Sequence, residues 1–167
     1  MRSRIDERLL ERCGNYLSSR NLKLVCAESM TGGFLSSMWA LELASGDYFL
    51  GSIVCYDDLQ KQKVLQVAPA LIDIHTAESE EVTLAMLHGL KILVPHADVY
   101  VSITGLAFES PNPKQQRPVG TVYYAFSFGG NTEVFERHLS GNTGEIIIKT
   151  CNSIFSDLCP WIESLKS

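Results

Sequence analysis

The chain has no apolar run long enough to span a bilayer, which excludes a membrane-crossing helix as the sequence reads. Met1-Arg2-Ser3-Arg4 carries no signal-peptide pattern. It has no excess of basic residues: 14 Lys and Arg against 19 Asp and Glu leave a formal charge of -5, so a general nucleic-acid binder is not expected. It has no CxxC and no Cys/His pair at zinc spacing, so no metal site is expected. The five cysteines, at 13, 26, 55, 151 and 159, are scattered through apolar contexts and read as reduced, buried thiols of a cytoplasmic protein. The histidines at 75, 88, 96 and 138 offer no triad order, and no GxGxxG occurs. Repeats, linkers and low-complexity segments are also missing. What remains is ordinary: 167 residues, 46% apolar and 20% charged, read as one domain over 1–167 with a substantial core.

One stretch organises the rest. Residues 22–27 are apolar and alternate as a buried strand does, and residues 34, 35, 38, 39 and 41 are apolar at helical spacing. Between them stand Glu28-Ser29-Met30-Thr31-Gly32-Gly33. A strand that feeds directly into a helix leaves N–H groups free at the helix start, suited to a phosphate or an oxyanion. Ser29 falls at the strand tip, where open sheets bind ligands. The plainer reading is that Ser29 or Thr31 caps the helix, worth about 1 kcal/mol, and the glycines only turn the chain.

The other elements follow in order. Residues 3–19 read as an amphipathic helix with Ile5, Leu9, Leu10, Cys13, Tyr16 and Leu17 on one face. After the strand at 22–27 comes a helix from about 31 to 43 and a turn at Gly46-Asp47. Residues 48–55 form a strand closed by Tyr56. Asp57 or Asp58 caps a short helix that carries Lys61 and Lys63. Pro69 begins a further short turn. Ser79-Glu80-Glu81 opens a helix running to about Ile92, and Pro95 prevents its extension. A strand at 98–104 ends at Thr104-Gly105. Residues 106–118, with three prolines, read as a loop. Two strands, 119–128 and 131–139, join through Gly129-Gly130-Asn131 as a hairpin. A helix fills about 143–165, ended or bent at Pro160. The order α β α β α α β β β α predicts an α/β fold: a three-layer α/β/α sandwich on a mixed, partly parallel sheet.

Ser29, Tyr56 and Thr104 all fall at strand ends, and Lys61 follows Tyr56 by about one helical turn. Serine, lysine and tyrosine brought together can hydrolyse a carbonyl compound without histidine. The serine attacks, a neutral lysine takes its proton, and the tyrosine relays the proton or holds the oxyanion.

These residues carry a resemblance. Glu28-Ser29-Met30-Thr31-Gly32-Gly33 resembles the ESCTGG motif of the CinA C-terminal domain family, the competence/damage-inducible proteins. Phe49 to Tyr56 is similar to the family's FLGGVVAY strand, and Lys61 stands five residues after the tyrosine, as the family's lysine does. Ser79-Glu80-Glu81 resembles SEE, Thr104-Gly105-Leu106-Ala107 resembles TGIA, and Pro118 to Tyr123 resembles PVGTVY. The blocks occur in family order from about residue 5 to 165. The resemblance implies a nicotinamide-nucleotide deamidase, converting nicotinamide mononucleotide and water to nicotinate mononucleotide and ammonia. It implies Ser29 as nucleophile, Lys61 as base and Tyr56 as proton relay. Glu28, Thr31, Gly32, Gly33, Thr104 and Gly105 would line the substrate site, with the 31–33 amides facing the oxyanion or the phosphate. It requires no metal or organic cofactor. Family analogy, with Trp39 and Trp161 as apolar surface, points to a homo-oligomer.

The chain also departs from the family pattern. Met30 replaces a cysteine, and Asp58 an asparagine. Phe108-Glu109-Ser110-Pro111-Asn112 stands where GPGGG is usual. The GDR motif is Gly141-Asn142-Thr143, and Ile147 occupies the place of an arginine. These changes support a second reading: a divergent paralogue that binds a related nucleotide or amide without this activity. A non-catalytic competence- or damage-associated interaction role has poor support in an acidic chain that keeps serine, lysine and tyrosine. A Ser-Tyr-Lys dehydrogenase would want Tyr-x-x-x-Lys and a glycine fingerprint, and neither is present.

Overall fold

The computed structural model describes residues 4–165, so the first residues, where the signal-peptide reading falls, lie outside it. Helices are α1 (Glu7–Ser19), α2 (Phe34–Leu41), α3 (Ser45–Tyr48), α4 (Asp58–Val64), α5 (Pro69–His75), α6 (Glu80–Leu93) and α7 (Thr143–Ser164). Strands are β1 (Leu24–Glu28), β2 (Phe49–Val54), β3 (Val99–Gly105), β4 (Thr121–Phe128) and β5 (Asn131–His138). They make one sheet in the order β2-β1-β3-β4-β5. β1 pairs in parallel with β2 and β3, while β3–β4 and β4–β5 are antiparallel.

Alternation along the strands sorts side chains to two faces. Leu24, Cys26, Val99, Val101, Ile103, Tyr124 and Phe126 meet α1, α2, α3 and α7 in one core cluster. Val25, Ala27, Tyr100 and Ala125 meet Leu65, Val67, Ile72, Met86, Leu87 and Leu90 on the other face. Each fully buried leucine there contributes roughly 1.5–3 kcal/mol over an exposed one. The expected three-layer sandwich is the architecture observed. Trp39 and Trp161 lie inside the first cluster, Trp39 edge-on to Phe155 and Tyr48, so neither offers surface to a second copy.

Cys13 on α1 and Cys159 on α7 meet in that cluster, their sulfurs 2.8 Å apart. Hydrogen bonding to Cys159 and then burial push the Cys13 thiol well above its usual value.

Local chemistry sets most boundaries. Asp6 caps α1 through the Arg8 and Leu9 amides. Asp57, the first of the two candidates, caps α4 through Leu59 N. Ser79 caps α6 through Val82 N. The Gly46-Asp47 turn is instead the one-turn helix α3, and Pro69 opens a two-turn helix. α7 runs through Pro160 without ending. Ser156, four residues back, is exposed like Pro160, so the orphaned carbonyl falls on the solvent side.

The topology creates one special place. The chain leaves β1 for β2 through helices on one face, then returns past β1 to β3 through helices on the other. Crevices beyond the carboxyl ends of strands at such a reversal are where open α/β sheets take ligands. Ser29 follows β1 there, and Gly105 ends β3 beside it. Among the described residues, no helix is long and apolar enough to cross a membrane.

Candidate active site

Ser29 and Tyr56 open on one cleft. Its lining is Ser29, Met30, Tyr56, Glu78, Gly105, Leu106, Ala107, Phe108, Ser110 and Pro111. Three connections build it: the β1–α2 turn, the β2–α4 turn and the 106–111 part of the loop after β3. Glu78, between α5 and α6, closes one side.

Ser29 is fixed by its backbone. Its N–H donates to the Ile103 carbonyl at 3.1 Å, which extends the β1–β3 ladder by one step. Its residue is only 9% exposed. Its hydroxyl makes no hydrogen bond among the described residues, as suits a group that meets a ligand. Tyr56 is 54% exposed, and its ring edge lies 3.8 Å from where a Cβ on Gly32 would stand. That packing lays the phenol over the β1–α2 turn.

Lys61 is 1% exposed and lies beneath Tyr56. Its Nζ donates to the Tyr56 carbonyl at 3.1 Å and to Asp58 Oδ1 at 3.3 Å. An ammonium has three protons, so one position is left for a third partner. The structure therefore brings serine and phenol to one cleft and ties the amine to the backbone of the phenol-bearing residue. No hydrogen bond joins Ser29 to Lys61. Burial raises the neighbouring Cys55 thiol, and the charge on Lys61 acts in the opposite sense.

Glu28 requires a correction. It does not face the cleft; it is fully buried under the start of α2. Oε2 accepts from Thr31 Oγ1 (2.6 Å), Gly33 N (3.0 Å) and Leu35 N (3.1 Å). Oε1 accepts from Ser36 N (2.9 Å) and Ser52 Oγ (2.8 Å). Gly33, at φ 96, is the residue before the helix, and that left-handed conformation turns its amide toward the carboxylate. The chain thus supplies its own anion to the positive end of α2. The charge is felt nearby: burial first, then Glu28, raises the Cys26 and Cys151 thiols.

The expected 31–33 amide cradle changes accordingly. Gly33 N serves Glu28, and Gly32 N donates to the Ser29 carbonyl at 3.0 Å. The Thr31 hydroxyl is spent on Glu28. The amides of Met30 and Thr31 make no hydrogen bond among the described residues, so the free N–H groups follow the serine directly.

Thr104 also differs from expectation. It is buried, and its hydroxyl shares a 2.7 Å hydrogen bond with Thr83 Oγ1 on α6. It fastens β3 to α6 and does not line the cleft. Gly105 does line it. A Cβ there would stand 3.0 Å from both Thr121 O and Val122 Cα and press on Met30 Sδ, so only glycine lets β3, β4 and the Ser29 turn close up.

Residue pattern did not single out Glu78, Gln115 and Arg117. Gln115 Nε2 donates to Glu78 Oε2 and to Thr76 Oγ1, each at 2.8 Å. Arg117 reaches Tyr123 OH at 3.0 Å, His75 O at 3.2 Å and Thr76 Oγ1 at 3.3 Å. These bonds pin the long loop to the α5–α6 turn. The only available signal was polar residues inside a proline-rich loop. Across the sheet, at the same end of the strands but beyond the edge strand β5, Asn142 caps α7 in a reciprocal box with Glu145. The position that departs from the GDR motif is therefore a helix start.

A three-layer α/β/α sandwich with a serine at the β1 tip, at the sheet's point of reversal, is the class that fold and site define. The sequence profile of the CinA C-terminal domain matches residues 6–160, and the chain belongs to that family. A Geobacillus sp. (strain WCH70) protein provisionally named competence-damage inducible is 36% identical over 147 residues, covering 87% of this chain and 34% of that protein. A CinA-like protein of Geobacter sp. (strain M21) is 32% identical over 158 residues, 95% of this chain and 37% of that one. The chain thus spans about a third of the length of these relatives. The crystal structure of competence damage-inducible protein A from Klebsiella pneumoniae superposes with a TM-score of 0.86 at 26% identity, covering 93% of this chain and 95% of that one.

Proposed function

We propose that this chain is an amidohydrolase that releases ammonia from nicotinamide mononucleotide. One observation carries the reading: Ser29 and Tyr56, from two different strand ends, face a single cleft with the Lys61 amine buried behind it. The serine oxygen attacks the carboxamide carbon. Its proton passes toward the Lys61 amine, with the Tyr56 hydroxyl as relay. The Met30 and Thr31 amides receive the oxyanion, the first of them from the residue after the nucleophile, as in other strand-to-helix nucleophile turns. Collapse expels ammonia, which takes the proton back. Water then attacks the acyl-serine and frees the carboxylate product.

The test is ammonia release from the mononucleotide by wild type, Ser29→Ala and Lys61→Met. The reading expects turnover in wild type and at least about a 1000-fold loss in each variant. Turnover that survives Ser29→Ala overturns it.

A second reading, a paralogue that binds a related amide without deamidating the mononucleotide, draws on one observation. No Lys, Arg or His is among the residues lining the cleft, so no side-chain cation there meets a phosphate. Mononucleotide stabilising the fold in a thermal shift with no ammonia release would favour it.

A further inference from the structure

We propose that Glu78 makes this cleft read the positive charge of a substrate's ring, so that it selects cationic ring amides and makes no use of a phosphate. The inference rests on the reading that a carboxamide lies at Ser29, and goes beyond it by assigning the determinant of selectivity.

Glu78 lines the same cleft as Ser29. Its Oε2 is held by Gln115 Nε2 at 2.8 Å. Gln115 is itself fixed at its other end, where its Oε1 accepts from Arg117 N at 3.0 Å. The carboxylate is therefore placed, not free to swing. Its charge is not cancelled: among the described residues, no lysine, arginine or histidine lies within ion-pairing distance of it. The two cations of the adjoining loop are engaged elsewhere. Arg117 holds Tyr123 OH, His75 O and Thr76 Oγ1, and Lys114 Nζ holds Asp73 O.

The walls agree with that charge. Phe108 and Tyr56 are each about half exposed and line the cleft, so an aromatic face is available to a cation. Met30, Leu106 and Pro111 supply apolar contact for a flat ring. The one feature that ordinarily draws an anion to a strand-to-helix turn, the helix N-terminus, is already filled by the Glu28 carboxylate. A carboxylate, aromatic faces and an occupied helix end suit a ring with a fixed positive charge. They offer a phosphate no side-chain cation.

Calorimetric binding to the full chain carrying Ser29→Ala separates binding from turnover. The probes are 1-methylnicotinamide, a pyridinium carboxamide without phosphate, and 3-methylbenzamide, its neutral isostere. The expected result is at least about tenfold tighter binding of the cation, a preference that shrinks as salt rises from 50 to 500 mM. Adding Glu78→Gln removes the preference, and Glu78→Asp retains part of it. Equal affinities, no binding of either probe at millimolar concentration, or a preference that survives Glu78→Gln each overturn the proposal. If Glu78→Gln fails to fold, the salt dependence decides alone: a salt-insensitive preference overturns it. A cation preference without ammonia release from wild type sinks the hydrolase reading and leaves this one standing. Release with no preference does the reverse.

Discussion

Replacing Glu28 with glutamine tests whether this carboxylate holds the turn or touches the substrate. The substitution keeps volume and removes one acceptor and the charge. Oε2 faces two backbone donors and a hydroxyl, so the new amide nitrogen cannot sit there without opposing N–H groups. It must take the Oε1 side, against Ser36 N and Ser52 Oγ. The serine hydroxyl can rotate to accept; the Ser36 N–H cannot, and is left unsatisfied. An orphaned buried donor costs about 1–3 kcal/mol. Losing the anion at the helix start costs roughly another 0.3–2 kcal/mol. We expect Glu28→Gln to destabilise by about 3 kcal/mol, which for a chain of this size lowers Tm by roughly 6–12 °C. Glu28→Ala should cost more, since it strands every donor. Thermal and urea unfolding read the effect directly. If Tm moves by less than about 2 °C while ligand binding is lost, Glu28 contacts the substrate and the structural account is wrong.

Three further outcomes follow from the same packing. Gly89→Ala on α6 should cost about 3 kcal/mol, because the new Cβ would overlap the Leu65 carbonyl, which is backbone and cannot swing aside; a urea midpoint equal to wild type would contradict this. Stability should decline at alkaline pH: the hydrogen bond to Cys159 and then burial hold the Cys13 thiol, and burial holds the Cys26 and Cys151 thiols and the Tyr48 and Tyr124 hydroxyls, above their usual values, so the unfolded chain ionises first. The stability they contribute is complete below about pH 8 and is lost as pH rises past about 9–10, at up to ~1.4 kcal/mol per unit for each ionised group; urea midpoints at pH 8 and pH 10 under reductant should differ in that sense, and an unchanged midpoint would refute it. Lys61→Met should fold, since its four-atom chain is buried under Tyr56, yet destabilise by about 1–3 kcal/mol through the unpaired Tyr56 carbonyl, read as a lower urea midpoint with an unchanged m-value.

The architecture was legible because its signals are local. Leu24 to Glu28 and Val99 to Gly105 alternate over buried faces, and Gly129-Gly130 joins β4 to β5 as a two-residue turn, with Phe128 paired to Asn131. Asp6, Asp57 and Ser79 cap the helices they precede. The start of α2 was misplaced by three residues because two left-handed glycines delay it, and a carboxylate from the strand does the capping usually done by a residue at the helix itself. No propensity scale sees a cap that comes from the preceding strand.

The site was half legible for a related reason. Ser29 and Tyr56 could be placed from strand ends alone, because the tip of a strand fixes position without knowledge of partners. Thr104 was placed one position too generously: alternation sends it to the α6 side and Gly105 to the cleft, so a single residue decides between fastening and lining. Glu78 and Gln115 lie 37 residues apart and meet only because the loop after β3 folds back over the α5–α6 turn. Such a contact has no period and no motif. The same comparison bears on the chemistry. A glycine-rich turn after a strand invites a phosphate reading, yet here an internal carboxylate takes the Gly33, Leu35 and Ser36 amides, the Ser29 carbonyl takes that of Gly32, and only those of Met30 and Thr31 are left. Those two stay unbonded among the described residues, next to the Ser29 hydroxyl. Filling the helix end from within thus removes the start of α2 as an anion cradle and leaves only the amides beside Ser29 unbonded.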